Sequence, residues 1–394
     1  MIYDSIIIGA GLIGSAAAKY LSKSQQKIAL IGPDEFTALQ EGVVFASHYD
    51  QSRIQRIIGK DETWTMLNQQ SVNEYAALEN EAGIHFHSGV GCLYVNPYGS
   101  DNYLEKVPEQ AKRFNQNYQL FQHNEFIHSS FPPFNFPSTS MGVFESFPSG
   151  YINPRLLIKA QLSVFKKNGG EVVNDLVNEI GYANEKVKIS THSGKVYHSK
   201  KVLLAPGSFI NFFNLLKRKL FLNLKSETTV WARVSEEEAQ RLSRLPSLLY
   251  EINEPEIKNI YLVQPVQYPD GNYYVKMGAN LPGDIFFKSL DEIRHWFKTE
   301  SNNDHLGIMR DTLMKIIPSL SLEECVLKKC IVAFTKHGKP YIGQSDNGLY
   351  FAAGGNGYSA MCSDALGKIA ATLLLEDEFP KEFLQEDSRP VFVD

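Results

Sequence analysis

Three consecutive β-branched residues, Ile6-Ile7-Ile8, run directly into Gly9-Ala-Gly11-Leu-Ile-Gly14 and then into Ser15-Ala-Ala-Ala-Lys-Tyr-Leu21. The apolar run suits a parallel strand buried on both faces. The alanine-rich stretch after it starts a helix. Between them the GxGxxG spacing gives each glycine a task. Gly9 makes the tight turn, Gly11 lets the backbone approach a pyrophosphate, and Gly14 lets helix and strand pack closely. Phosphate charge would then face unpaired N–H groups and the positive end of the helix dipole. In this strand–turn–helix setting the motif, with Leu12 and Ile13 inside it, points to a dinucleotide.

The next strand, 27–31, is normally closed by an acid that holds a ribose hydroxyl. Here Gly32 and Pro33 intervene, and Asp34 and Glu35 follow. One of the two is expected to reach the ribose around the bend; otherwise both are solvated loop charges. No second nucleotide-binding half follows. Instead come SHYDQSRIQR at 47–56, alternating residues at 84–95, and a segment at 96–140 rich in Asn, Pro, Phe and Tyr, which reads as loop and edge strand. Helix and strand return at 149–173, where Pro154 suits a helix N1 position and Gly169-Gly170 ends the helix. A buried strand then runs into KVLLAPGSF at 201–209, placing Ala205 and Gly207 at a carboxyl edge where ligands bind. Alternating segments at 226–236 and 257–280 read as strands and 290–317 as helical. The closing stretch at 348–374 reads as strand, glycine-rich turn and helix.

The 394 residues suggest two or three domains. A net charge of −5 gives no electrostatic reason to expect nucleic acid. Cys92, Cys325, Cys330 and Cys362 lack metal-ligand spacing, so no metal is expected. The first strand starts at residue 2, leaving no room for a signal peptide. No apolar run reaches the ~18 residues of a membrane span. A cytoplasmic protein with no membrane partner is expected.

The N-terminal GAGLIG, SHYDQSRIQR at 47–56, YVKMG at 274–278, KCIVAFTKHGKPYIG at 329–343 and FAAGGNGYS at 351–359 together resemble the monomeric sarcosine oxidase-like branch of the D-amino-acid oxidase superfamily. The resemblance runs along nearly the whole chain. It implies an α/β architecture with a Rossmann-like FAD-binding domain interleaved with a substrate domain built on a mixed, mostly antiparallel sheet. The expected division is 1–85, 145–215 and 325–394 for FAD, and 86–144 and 216–324 for substrate. It implies an FAD-dependent oxidase of a secondary amine or amino acid, forming an imine and passing electrons to O2 to give hydrogen peroxide, and acting as a monomer. The alternatives are a flavin dehydrogenase with another acceptor and a flavin-binding subunit without turnover.

Residue by residue, the resemblance makes Arg56 the clamp for a substrate carboxylate and places Arg53 near the flavin. The i, i+3 spacing of the pair would put both on one helix face, where a shared anion is expected; a solvated face or phosphate contacts are the alternative. Ser47 and His48 fall in a loop that would approach the flavin. Lys276, inside an alternating strand, maps onto the lysine that activates oxygen, where fixed positive charge stabilises charge developing on O2. Tyr261 would line the substrate cavity. Cys330 maps onto a thioether link to the flavin, and Lys328 and Lys329 before it would favour the thiolate if they point that way. Gly354, Gly355, Asn356 and Gly357 would bring a helix N-terminus to the flavin pyrimidine, and Val177 would join the cofactor contacts. Four positions depart from the family, one of them His337 where the family has an acidic residue before a turn glycine. Met361 stands for the second carboxylate-binding cation, and Tyr358 and Asn280 stand for two histidines. A substrate larger or less anionic than sarcosine is therefore expected, and no protein general base is evident.

Overall fold

The computed structural model describes residues 2–393 apart from 25, 43, 253, 300–302, 382 and 384. Among the described residues two large sheets carry the chain, of eight and nine strands. In the first, Ile2–Ile8 lies between Ile28–Ile31 and Val196–Leu204, parallel to both. Glu171–Val173 and Leu349–Ala353 extend the parallel set. The β-branched run is buried on both faces as its composition demands: Ile6 and Ile7 are fully buried, and Ile8 nearly so. Helices Leu12–Leu21, Pro154–Lys167 and Ser359–Glu376 cover one face through Ala17, Ala18, Phe165, Leu366 and Ala370. Two of these helices touch almost backbone to backbone: a Cβ on Gly367 would lie 2.4 Å from that of Ala16.

The second sheet is mixed and mostly antiparallel, its one parallel pair being Cys92–Asn96 with Ser247–Tyr250. The expected fold class is therefore observed. Strand Glu324–Thr335 pairs along its whole length with Leu222–Val234. It therefore belongs to the second sheet, and the chain crosses back to the first sheet after 335, not at 325. The segment at 96–140 is more ordered than its composition implies. It holds the helix Asn102–Arg113, capped by Asp101 and buried along Leu104, Val107 and Ala111, and a second short helix, Asn124–Ser130. The helical stretch expected over 290–317 consists of Leu290–Lys298 and Asn303–Ile316; residues 300–302 lie outside the described residues.

Register assigns the faces of the second sheet. Cross-strand partners share a face, and neighbours along a strand alternate. Val230, Ala232, Leu262, Val275 and Met277 point one way, into a core closed by Met309, Leu313 and Ile316 of the Asn303–Ile316 helix. On the other face Glu227 pairs with Cys330, Trp231 with Lys276, Lys276 with Val263, and Tyr261 with Gly278. A charged lysine, a carboxylate, a thiol and a phenol thus share one face of a sheet whose other face is greasy.

Candidate active site

The phosphate loop comes first. Gly9 has φ +109°, a conformation open to glycine at little cost. A Cβ at Gly14 would fall 1.9 Å from the Gly9 carbonyl oxygen, so the helix can sit this close to the strand only without one. The helix behind it, Leu12–Leu21, has Gly11 at its N-cap, no side-chain cap and no acid in its first turn. Ser359–Glu376, after the Gly354–Gly357 turn, likewise has no side-chain cap and no acid in its first turn. Glu62–Ala82, Asn102–Arg113, Pro154–Lys167 and Leu290–Lys298 are all capped by Asp, Asn or Ser. Neither glycine-led helix spends its positive dipole end on a side chain; Leu12–Leu21 keeps its first N–H donors as well, whereas Ser359 N and Met361 N of the second helix donate to Gly355 O and Tyr358 O. Asn356 fixes the second turn: its Oδ1 accepts from Thr335 N at 2.9 Å, and its own N–H donates to Ala333 O at 2.9 Å.

Both acids after the second strand have protein partners. Asp34 caps Glu35–Glu41 and takes Asn174 Nδ2 at 2.7 Å, and Glu35 holds Arg155 in a two-pronged pair at 2.7 and 2.5 Å. Arg155 Nη1 is buried without a partner. Val177 opens the strand Val177–Ala183 at the edge of the first sheet and is buried among apolar neighbours. Ala205 backs onto Gly9, whose Cβ would lie 2.4 Å from the Ala205 oxygen, and Gly207 lies in the turn just beyond.

The 47–56 segment bridges the two sheets, and it is no helix. Arg53–Gln55 is a short strand paired with Gly150–Ile152, so the i, i+3 arginines point apart. Ile54 and Gln55 between them are both buried. Ser47 Oγ donates to Ile331 O at 3.0 Å, docking the loop beside Cys330. His48 lies against the phosphate loop, its Nδ1 3.4 Å from where a Gly11 Cβ would be. Burial, with Arg155 and Arg53 nearby, pushes its imidazolium down to about 3, so it is neutral there. Asp50, which the sequence reading did not single out, is the hub. Its Oδ2 accepts from Lys276 Nζ at 2.8 Å and pairs with Arg53; its Oδ1 accepts from Tyr268 OH at 2.7 Å. Lys276 is fully buried and also donates to Ser52 O. Burial and Arg53 push its ammonium down, and the Asp50 carboxylate opposes them.

Arg56 lies on the other side of the strand, 5% exposed, with its guanidinium 4.7 Å from the Tyr103 ring centroid. Its Nε and Nη1 are buried without a hydrogen-bond partner. The nearby Glu145 is occupied by Ile57 N, Ile58 N and Ser149 Oγ at 2.9 to 3.1 Å. Met361 is buried in the first turn of its helix, and Tyr358 rests on Trp64 with Lys60 Nζ 5.0 Å from its ring centroid. Tyr261 lies across Gly278, where a Cβ would meet the ring at 2.1 to 2.4 Å, with Lys276 Nζ 5.7 Å from the ring centroid. Cys330 is half-buried. The lysines before it are engaged elsewhere: Lys329 donates to Thr299 O at 2.6 Å, and Lys328 lies over Trp231. Asn280 accepts from Lys225 Nζ at 2.6 Å; the same ammonium binds Glu227 at 2.9 Å and Asp284 at 2.6 Å. This buried cluster was invisible because its members come from separate segments, and a lysine two residues from a glutamate on an alternating strand looks like a wet face.

A family model described as DAO, FAD dependent oxidoreductase, matches residues 4–373. N-methyl-L-tryptophan oxidases of Salmonella typhi and Citrobacter koseri are 28% identical over 214 and 213 residues, 53% of this chain and 55% of theirs. The match thus spans about half the length of those curated relatives. Among solved structures, NikD, an unusual amino acid oxidase essential for nikkomycin biosynthesis, has a TM-score of 0.78 at 16% identity over 99% of this chain and 98% of its own. L-proline dehydrogenase from P. horikoshii has a TM-score of 0.76 at 18% identity, covering 96% and 94%. Glycine oxidase from Bacillus cereus has 0.72 at 17% identity, covering 98% of both. At these identities the likeness to the structures is one of fold.

Proposed function

The chain belongs to the DAO family of FAD dependent oxidoreductases, and we propose that it is an oxidase of an amine or amino acid carrying a carboxylate. The residues fit the cofactor. Two uncapped helix N-termini, one at each glycine turn, suit the pyrophosphate and the polar end of the flavin ring. The orphaned Nη1 of Arg155 adds a donor beside His48. Gly9, Gly11, Leu12, Ile13, Gly14, Ser47, His48, Ala205, Gly207 and the Gly354–Tyr358 turn would hold it, with Cys330 as a covalent anchor. FAD bound there would supply a two-electron acceptor for the C–H bond next to the amine nitrogen, with O2 as the expected final acceptor.

The observation that carries the reading is Arg56. A buried guanidinium with two unpartnered nitrogens is costly unless an anion completes it. The substrate carboxylate would accept from this guanidinium and complete it, held against Tyr103. Tyr261 and Met361 would bound the rest of the substrate, and the apolar Met361 would offer a wall suited to an apolar or aromatic side chain. The name of the N-methyl-L-tryptophan oxidase relatives is consistent with this. Lys276, held by Asp50 and Ser52, would present the fixed positive charge that oxygen reduction needs.

The test is anaerobic bleaching of the purified yellow protein by a panel: N-methyl-L-tryptophan, L-proline, glycine, sarcosine and their decarboxylated counterparts. Bleaching by carboxylated members, followed by peroxide release in air, is expected. A panel that leaves the flavin oxidised throughout defeats the reading. Acid precipitation of the same protein should leave colour on the polypeptide, and in the supernatant for Cys330→Ala.

A further inference from the structure

The sheet face that carries Lys276 and Tyr261 also carries a carboxylate with no evident structural reason to be there. Glu227 is 6% exposed and sits directly across the ladder from Cys330. Its Oε2 accepts from Lys225 Nζ at 2.9 Å. Among the described residues its Oε1 makes no hydrogen bond. Lys225 has spent its three donors on Glu227, Asp284 Oδ2 and Asn280 Oδ1, so it cannot itself reach a ligand. Asp284 is tied down further by Leu281 N at 3.1 Å, and Asn280 by Asn259. The result is a rigid mount that fixes one carboxylate oxygen and leaves the other unclaimed. The position that the family fills with a histidine is Asn280, which has no proton-accepting nitrogen.

We propose that Glu227 receives the proton of the substrate ammonium, with Lys225, Asp284 and Asn280 as the residues that position it. The inference rests on the reading that an amine is oxidised. An amine near neutral pH is a cation, and its nitrogen lone pair is available only after a proton leaves. In the step an N–H bond of the ammonium breaks and an Oε1–H bond forms; the neutral amine and a carboxylic acid result, and no electrons are exchanged. The surroundings suit a base for this task. Burial is the main influence and raises the Glu227 acid to about 7, Asp284 pushes the same way, and Lys225 and Arg53 restrain it. Tyr261 also faces it, its phenol pushed up by burial and so neutral near that pH, and Cys330 lies directly across the ladder. The carboxylate can therefore be ionised before the substrate arrives and protonated after it.

The probe is dimethylammonium, a secondary ammonium with no carboxylate for Arg56. Infrared titration of the flavin-loaded wild type should show a protonated carboxyl band with a midpoint near pH 7. The band should be absent from Glu227→Gln and shifted in Glu227→Asp, which assigns it if the first variant folds poorly. Saturating dimethylammonium should lower the midpoint by about one pH unit, because the cation favours the carboxylate. A midpoint that does not move, or a band that persists in Glu227→Gln, overturns the proposal. In single-turnover bleaching by the fastest amine of the panel, the rise in rate near pH 7 should vanish in Glu227→Gln and the rate at pH 8 should fall at least about a hundredfold. An unchanged profile overturns it as well. If no amine bleaches the flavin yet dimethylammonium shifts the band, the amine-oxidation reading falls while Glu227 stands as a cation-facing acid.

Discussion

At the residue scale the site is a set of buried charges, each with a different degree of satisfaction. Lys276 has two acceptors and a full counter-charge in Asp50. Removing its ammonium leaves Asp50 still held by Arg53 and Tyr268, so Lys276→Met should fold. Its effect should fall on oxygen alone: reoxidation in stopped flow slower by roughly 10² to 10³, the scale of one preorganised electrostatic group, with anaerobic bleaching within a few-fold of wild type. Equal losses in both half-reactions would assign Lys276 to substrate binding instead. Arg56 is the opposite case, a cation that lacks partners. Arg56→Gln should raise KM for carboxylated amines by about a hundredfold or more, as loss of a buried charge pair does, and leave their decarboxylated counterparts almost unchanged. Parallel changes for both substrate sets would remove the carboxylate from this place. Asp50 escaped the sequence reading because a single acid in a polar loop has no pattern; its importance is created by three partners, Arg53, Tyr268 and Lys276, the last two more than 200 residues away.

At the scale of elements, what could be read in advance was whatever has a local period. The Ile6–Ile8 run, the glycine spacing and the alternation around Lys276 each specified strand, turn or helix, and the order of segments carried the two-sheet plan. The Asn102–Arg113 helix was hidden because Pro108 sits inside it, although Asp101 and the 104, 107, 111 spacing of its buried residues were present. The Arg53–Gln55 strand was misjudged because three residues are too few to show a period. Its conformation is set by pairing with Gly150–Ile152. Pairing also explains why Gly278 must be glycine: strand Ile260–Gln267 brings the Tyr261 ring flat across it. Gly278→Ala should displace that ring and cost about 1–3 kcal/mol in urea unfolding, as overpacking does. It should also change the flavin spectrum on ligand binding. A variant with unaltered stability and spectrum would show that the ring yields freely and does not shape the cavity.

At the scale of the whole molecule, the second sheet stores protonation energy between its two faces. Burial on the sheet's polar face excludes water from Glu227, so the folded chain prefers this carboxyl protonated. The folded value is about 7 against an ordinary 4.5. The sign follows from proton counting: between those values the native state binds more protons than the unfolded state, so stability falls as pH rises. The contribution is fully present below about pH 4.5 and gone above about pH 7. A difference of this size corresponds to about 3 kcal/mol at most, at ~1.4 kcal/mol per unit. Other groups titrate in the same window, which makes the difference between two proteins the measurement to take. Urea unfolding of flavin-loaded wild type and Glu227→Gln at pH 5 and pH 8 should show the variant gaining on the wild type by one to three kcal/mol, by about this order, at the higher pH. Equal pH dependence in the two proteins would mean that the Glu227 carboxyl is no harder to ionise in the fold than in the open chain. That would take away both this stability term and the basis for its use as a base.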